Sequence, residues 1–118
     1  MVIQKPTFFC KNKEINLNAK VCRGIYKAIG LMFSRREKAN ALLFEFNKPV
    51  RLAIHSWFVF YPFLAIWLDR DNKLIEERVV KPFTIAVKPR KKFFKLVEIP
   101  LNSRYEKLLN FSSVIRKI

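Results

Sequence analysis

Residues Trp57 to Leu68 read WFVFYPFLAIWL, and no other segment restricts the fold of this chain as tightly. The run has 12 residues and contains Pro62. A membrane-spanning helix takes about 18 or more, so the run is expected to lie in a protein interior. Asp69-Arg70-Asp71-Asn72-Lys73 follows, then Leu74-Ile75, which reads as a turn leading into a returning strand. Phe63 to Leu68 is apolar at every position, so it is predicted to be a strand covered on both faces.

Further strands are predicted around it. Ala41 to Phe46 (ALLFEF) is short and apolar, and Asn47-Lys48-Pro49 marks a turn after it. Val50, Leu52 and Ile54 alternate with Arg51, Ala53 and His55, the pattern of a half-buried strand. Leu74 to Lys81 is expected to pair with Phe63 to Leu68. Phe83, Ile85 and Val87 alternate with Thr84, Ala86 and Lys88; Phe93 to Ile99 (FFKLVEI) is another strand, and Ser112 to Ile118 a last one. Helical signals are short. Ile25, Ala28, Ile29 and Met32 recur at helical spacing, with Gly24 and Gly30 limiting the length. Ser34-Arg35-Arg36-Glu37 and Ser103-Arg104-Tyr105-Glu106 match capping boxes, predicting short helices over about 35–39 and 103–109, the second closed by Asn110. The expected fold class is mainly β: a small antiparallel β-sandwich or partly open barrel with one or two short helices, in a single domain over residues 1–118.

Charge narrows the functional classes. The chain has 24 Lys and Arg against 9 Asp and Glu, a net +15, which favours contact with polyanions such as RNA, DNA or anionic lipid. The densest basic run is Lys88-Pro89-Arg90-Lys91-Lys92, with Lys95 after it; Arg35 and Arg36 are candidates to adjoin it. With 51% hydrophobic and 14% aromatic residues the chain is not of the disordered class. Residues 1–10 contain neither a sustained apolar core nor a small-residue cleavage site, so no signal peptide is expected and the cytoplasm is the expected location. Cys10 and Cys22 with a single histidine make no zinc site. Free thiols are expected; a disulfide is the alternative, as in some hyperthermophile cytosols, toward which a lysine-rich chain with one glutamine and two glycines leans. Neither GxGxxG nor GxxxxGK occurs, and no cofactor is expected.

The order of segments carries a resemblance. Gly30-Leu31-Met32, Leu42-Leu43-Phe44-Glu45-Phe46, Ile54-His55, Phe58-Val59-Phe60-Tyr61-Pro62 leading into Ala65-Ile66-Trp67-Leu68-Asp69, Lys81-Pro82-Phe83, Lys88-Pro89 and Val97-Glu98-Ile99-Pro100 together resemble the domain of unknown function 192 family in its archaeal form, over about residues 20–102. The resemblance implies a small, mainly β fold and no known enzymatic activity. It also implies an acidic residue two positions after the hairpin proline, where this chain has Leu64, and glycines where it has Asn72 and Asn102. Asparagine tolerates positive φ better than other non-glycine residues, so both turns are expected to survive.

Few residues offer chemistry. His55 is the only histidine, and with Trp57 and Tyr61 it is a candidate to line a pocket. Asp69 and Asp71 begin like a calcium loop, but Val80 stands where the bidentate glutamate belongs. Glu76 and Glu77 are adjacent, so on a strand they face opposite ways. Glu98 is expected to face outward, paired with a lysine. Tyr26, Trp57, Phe58, Tyr61 and Trp67 are core residues or base-stacking platforms. The expected function is a non-enzymatic binding or accessory module with a basic, polyanion-tolerant surface. The alternative is a small-ligand domain or an enzyme with a cleft near His55 and Pro62. A homo-oligomer hiding surplus aromatics is a third reading. No catalytic residue, metal ligand or membrane span is expected.

Overall fold

The computed structural model describes residues 2–4, 7–10, 13–16, 18–22, 30–106 and 109. Among them are eight strands: β1 (Val2–Gln4), β2 (Thr7–Cys10), β3 (Lys13–Asn16), β4 (Ala19–Val21), β5 (Ala41–Val50), β6 (Phe63–Leu68), β7 (Leu74–Val80) and β8 (Phe93–Pro100). Six form one sheet in the order β1-β4-β5-β8-β6-β7, and β2 with β3 makes a separate two-stranded ribbon. The fold is therefore mainly β, with helix limited to 3-10 turns at Arg36–Lys38 and Ser103–Tyr105 among the described residues.

β6 lies between β8 and β7, and each of its six residues is buried. Strand alternation divides them between two cores. Leu64, Ile66 and Leu68 join Leu43, Val97 and Ile99 on one face, covered by Ile15 of the ribbon, Tyr105 and Leu109. Phe63, Ala65 and Trp67 join Leu42, Phe44 and Leu96 on the other, covered by Leu31, Val59 and Tyr61 from loops. Burying one large apolar side chain contributes about 1.5–3 kcal/mol, so β6 alone anchors both layers. Leu64 packs among apolar groups only, and no carboxylate fits its place without a partner.

The hairpin into β7 forms as its residues predict. Asp69 Oδ1 accepts from the amides of Asp71 and Lys73 at 2.8 and 2.9 Å, and Asn72 takes φ 64°. Asn102 behaves differently from expectation. Its φ is −128°, so glycine-like freedom is not required there. Its side chain instead donates to the carbonyls of Arg36 and Ala39 at 2.7 and 3.1 Å.

Several local expectations give way to tertiary contacts. The sheet is mixed, because β4 and β5 run parallel. Residues 22–40 supply the long crossover that a parallel pair requires. Asn47-Lys48-Pro49 does not end β5; the strand absorbs it with an irregularity between Glu45 and Val50. Beyond Val50, which ends β5, the predicted strand Val50–His55 does not form, and neither does Phe83–Lys88. Both are loops that meet in one isolated bridge, Ile54 with Val87. Neither capping box closes. Ser34 Oγ donates to the Leu31 carbonyl at 2.6 Å and pairs with the Tyr61 hydroxyl at 2.5 Å, while Glu37 accepts from the amide and hydroxyl of Ser103 at 3.1 and 3.0 Å. Those two bonds hold the Glu37 carboxyl below its usual range. Of the segment 20–33, expected to be a short helix or turn-rich, the structure describes the end of β4, Cys22 and a turn at 30–33; Ile25, Tyr26, Ala28 and Ile29 lie outside the described residues, as do Asn110 and the predicted strand 112–118.

Candidate functional site

Gly30 and Leu31, the loop from Leu52 to Val59, and the second face of the sheet enclose a pocket of about 330 Å³. That is at the small end of the range typical of ligand sites, roughly 300–1,000 Å³. Phe44 and Phe46 of β5 and Phe93 and Leu96 of β8 form its floor, Phe63 of β6 adds a wall, and Ile54 and His55 stand at the loop side. Two side chains in the lining can titrate, His55 and Glu98.

Glu98 does not face outward. Its neighbours across the sheet are Leu42 on β5 and Ala65 on β6, both of the second face, and it is only 5% exposed. β8 is covered on both sides there, so the strand has no solvent face to offer. Among the described residues no donor or cation meets the carboxyl. Burial alone acts on it and pushes its pKa up to about 8. At neutral pH it is mostly the neutral acid, able both to donate and to accept a hydrogen bond. Gly30 approaches closely: a β-carbon added there would lie 3.5 Å from Glu98 Oε1, and its φ of +52° suits glycine.

Two more titratable groups share this face. Cys22 is a free, buried thiol, which removes the disulfide alternative; burial first, and the charge of Glu98 second, raise its pKa to about 11, against a lowering by Lys20. Burial and Glu98 also raise Tyr61, opposed by its bond to Ser34.

The loops over the pocket are latched by Ser56, which is fully buried. Its Oγ donates to the Lys81 carbonyl at 2.5 Å and accepts from the Thr84 amide at 2.6 Å, and its carbonyl accepts from the Phe83 amide at 3.0 Å. The chain around Ser56 and the chain around Thr84 are thereby joined without a strand ladder.

Of the three pocket candidates, His55 lines the cavity. Tyr61 is buried beside Ser34, and Trp57 is half exposed with its ring against His55 at 6.3 Å. Pro62 does not line it. Glu98 was missed as a site residue, although an acid set between Leu96-Val97 and Ile99-Pro100 was the available signal.

The basic candidates form two groups rather than one. Lys88, Arg90, Lys91 and Lys92 are exposed before β8. Arg36 bonds the Leu101 carbonyl at 2.7 Å, just beyond the other end of that strand, with Arg35 beside it. Eight residues at about 3.3 Å each set these ends roughly 25 Å apart. Lys95 is half buried and donates to Asn72 Oδ1 at 2.6 Å, so its ammonium serves the hairpin turn. The Arg90 amide and Glu76 Oε1 are 2.9 Å apart, which brings acid to the edge of the basic run. Among the described residues no group of three or more His, Cys, Asp or Glu could hold a metal ion, and no helix is long and apolar enough to cross a membrane.

No family model matches the chain, and no curated protein does. Two solved structures share its fold. One is a protein of unknown function from Novosphingobium aromaticivorans DSM 12444, 15% identical over 90% of this chain and 78% of that one, with a TM-score of 0.72. The other is a "putative transcription regulator" from Sinorhizobium meliloti 1021, 15% identical over 86% of this chain and 81% of that one, with a TM-score of 0.70. At this identity the likeness is one of fold alone.

Proposed function

We propose that this chain is a binding domain for a small, mainly apolar molecule whose one polar group meets Glu98. The observation that carries the reading is the Glu98 carboxyl, 5% exposed and met by no donor among the described residues, in the wall of a largely apolar pocket. An unpaired buried polar group costs about 1–3 kcal/mol, and a ligand that completes its hydrogen bonds recovers that cost. A neutral acid in an apolar site donates well to a carbonyl or amide oxygen. Among the described residues no serine, cysteine, threonine, lysine or tyrosine side chain lines the pocket, which favours binding over nucleophilic catalysis. The segments that resemble the domain of unknown function 192 family include Gly30, Leu31, Phe44, His55 and Glu98 of this pocket, and membership of that family is proposed on the sequence resemblance alone.

Saturation-transfer NMR with cyclohexanone and hexanamide, against cyclohexane of similar size, tests the reading. The carbonyl probes should bind the wild type and lose binding in Glu98→Leu, which fills the site with an apolar side chain. Absence of saturation transfer from the wild type, or carbonyl binding that survives in Glu98→Leu, would sink it.

A second reading has its own support, since Lys88, Arg90, Lys91 and Lys92 remain exposed. It is a weak polyanion contact over that run. Binding to an RNA duplex should fall steeply between about 50 and 200 mM salt. Lack of binding at the lower salt would dismiss it.

A further inference from the structure

The large hydrophobic side chains left in solvent fall, among the described residues, on three loops. Phe33 is on the first, Leu52, Trp57, Phe58 and Phe60 on the second, and Phe83 and Ile85 on the third. The three loops form one patch. Phe33 stacks on Phe58 at 5.0 Å, and Phe83 meets Phe58 and Phe60 edge-on at 6.4 and 5.2 Å. The Phe33 amide donates to the Phe58 carbonyl at 2.9 Å, and the Phe83 amide to that of Ser56 at 3.0 Å. Yet Phe33, Phe60 and Ile85 remain 68%, 63% and 77% exposed.

Backbone geometry sets these rings apart. Phe33, Phe58 and Phe83 have φ of 62°, 57° and 57°, and Asn72 is the one other non-glycine residue described with positive φ. Left-handed backbone is disfavoured for a bulky L-residue. Interior packing does not compensate, because the three side chains are exposed. Strain of this kind concentrates at functional sites.

Charge indicates what the patch meets. Residues 30–36, 50–62 and 81–86, which carry these tips, include the exposed Arg35, Arg51 and Lys81 and no aspartate or glutamate. Lys81 and Arg35 each lie two residues from an exposed phenylalanine. We propose that this face docks peripherally on an anionic lipid bilayer, the aromatic and aliphatic tips entering the headgroup boundary and the basic side chains meeting lipid phosphates. Exposed aromatics beside lysine and arginine suit that interface. Single-stranded nucleic acid fits less well. Base stacking needs free ring faces, whereas Phe33 and Phe58 cover one of each other's, and the most exposed tip is the aliphatic Ile85. A second copy of this face would set the exposed Arg35, Arg51 and Lys81 against like charges.

The chain carries its own probe. Of its two tryptophans, Trp67 is fully buried and Trp57 is 50% exposed, so a change in emission on docking reports Trp57. The full chain is mixed with vesicles of phosphatidylcholine containing about a quarter phosphatidylglycerol, in about 0.1 M salt. The emission should shift to the blue and the protein should sediment with the vesicles, at least about tenfold more strongly than with phosphatidylcholine alone. The double variant Phe60→Ser/Ile85→Ser should lose at least about tenfold in partitioning while keeping its circular dichroism and thermal midpoint. Arg35→Glu/Lys81→Glu, which leaves every tip in place, should weaken binding as well. No shift with the anionic vesicles would overturn the proposal. So would undiminished binding by both double variants, a Trp57 response to a single-stranded oligonucleotide but not to vesicles, or a light-scattering dimer that shields Trp57.

Discussion

Replacing Glu98 by glutamine keeps the shape of the side chain and removes its ionisation. Burial raises the folded pKa from an ordinary 4.5 to about 8. Below pH 4.5 both the folded and unfolded chains hold the proton, and the group makes no pH-dependent contribution. Between 4.5 and 8 the unfolded chain releases it while the folded chain retains it, so stability falls as pH rises. Above 8 the folded chain ionises too and the loss stops growing. At roughly 1.4 kcal/mol per pH unit the full loss is about 5 kcal/mol. Relaxation and water entering the pocket reduce the cost of a buried charge, so a loss of about 2–5 kcal/mol is expected by pH 8.5. Glu98→Gln has no such slope. Urea unfolding of both proteins, followed by tryptophan fluorescence from pH 5 to 8.5, gives the difference directly and cancels groups common to both. The gap between the curves should widen in favour of the variant as pH rises. Parallel curves would refute the reasoning.

Two further substitutions probe the elements that hold the pocket. Ser56→Ala removes the hydroxyl bonded to Lys81 and Thr84, should cost about 1–3 kcal/mol, and should speed hydrogen exchange at the Thr84 amide. Unchanged exchange would mean that the two loops are held by other contacts. Tyr61→Phe deletes the partner of Ser34 while keeping the buried ring, and a loss of about 1 kcal/mol in chemical denaturation is expected.

The legible parts of this fold were those where burial decides the pattern. Phe63 to Leu68 matches β6 residue for residue, because a strand covered on both faces has one way to satisfy six apolar side chains. β8 was located within a residue on its apolar run, and β7 within a residue by the turn that returns the chain from β6. The alternation in Val50–His55 and Phe83–Lys88 misled, since it describes extended chain without specifying a partner, and these segments are joined through Ser56 and a single bridge. Both serine-to-glutamate signatures were at the right places, but Tyr61 and Ser103 offered stronger bonds than the local caps. The site was half legible. His55 was identified, whereas Glu98 was read as solvent-facing because single acids on strands usually are. With Leu96 and Pro100 on one face of the strand and Val97 and Ile99 on the other, an acid at position 98 has no outward side to occupy.

The carbon-13 shift of the Glu98 side-chain carboxyl, followed by NMR as a function of pH, tests the central claim most directly. A midpoint near 8 is predicted, well above the other carboxyl groups. Titration in the ordinary range near 4.5 would mean that the carboxyl is hydrated or paired, and the pocket would lose the feature on which the proposed function rests.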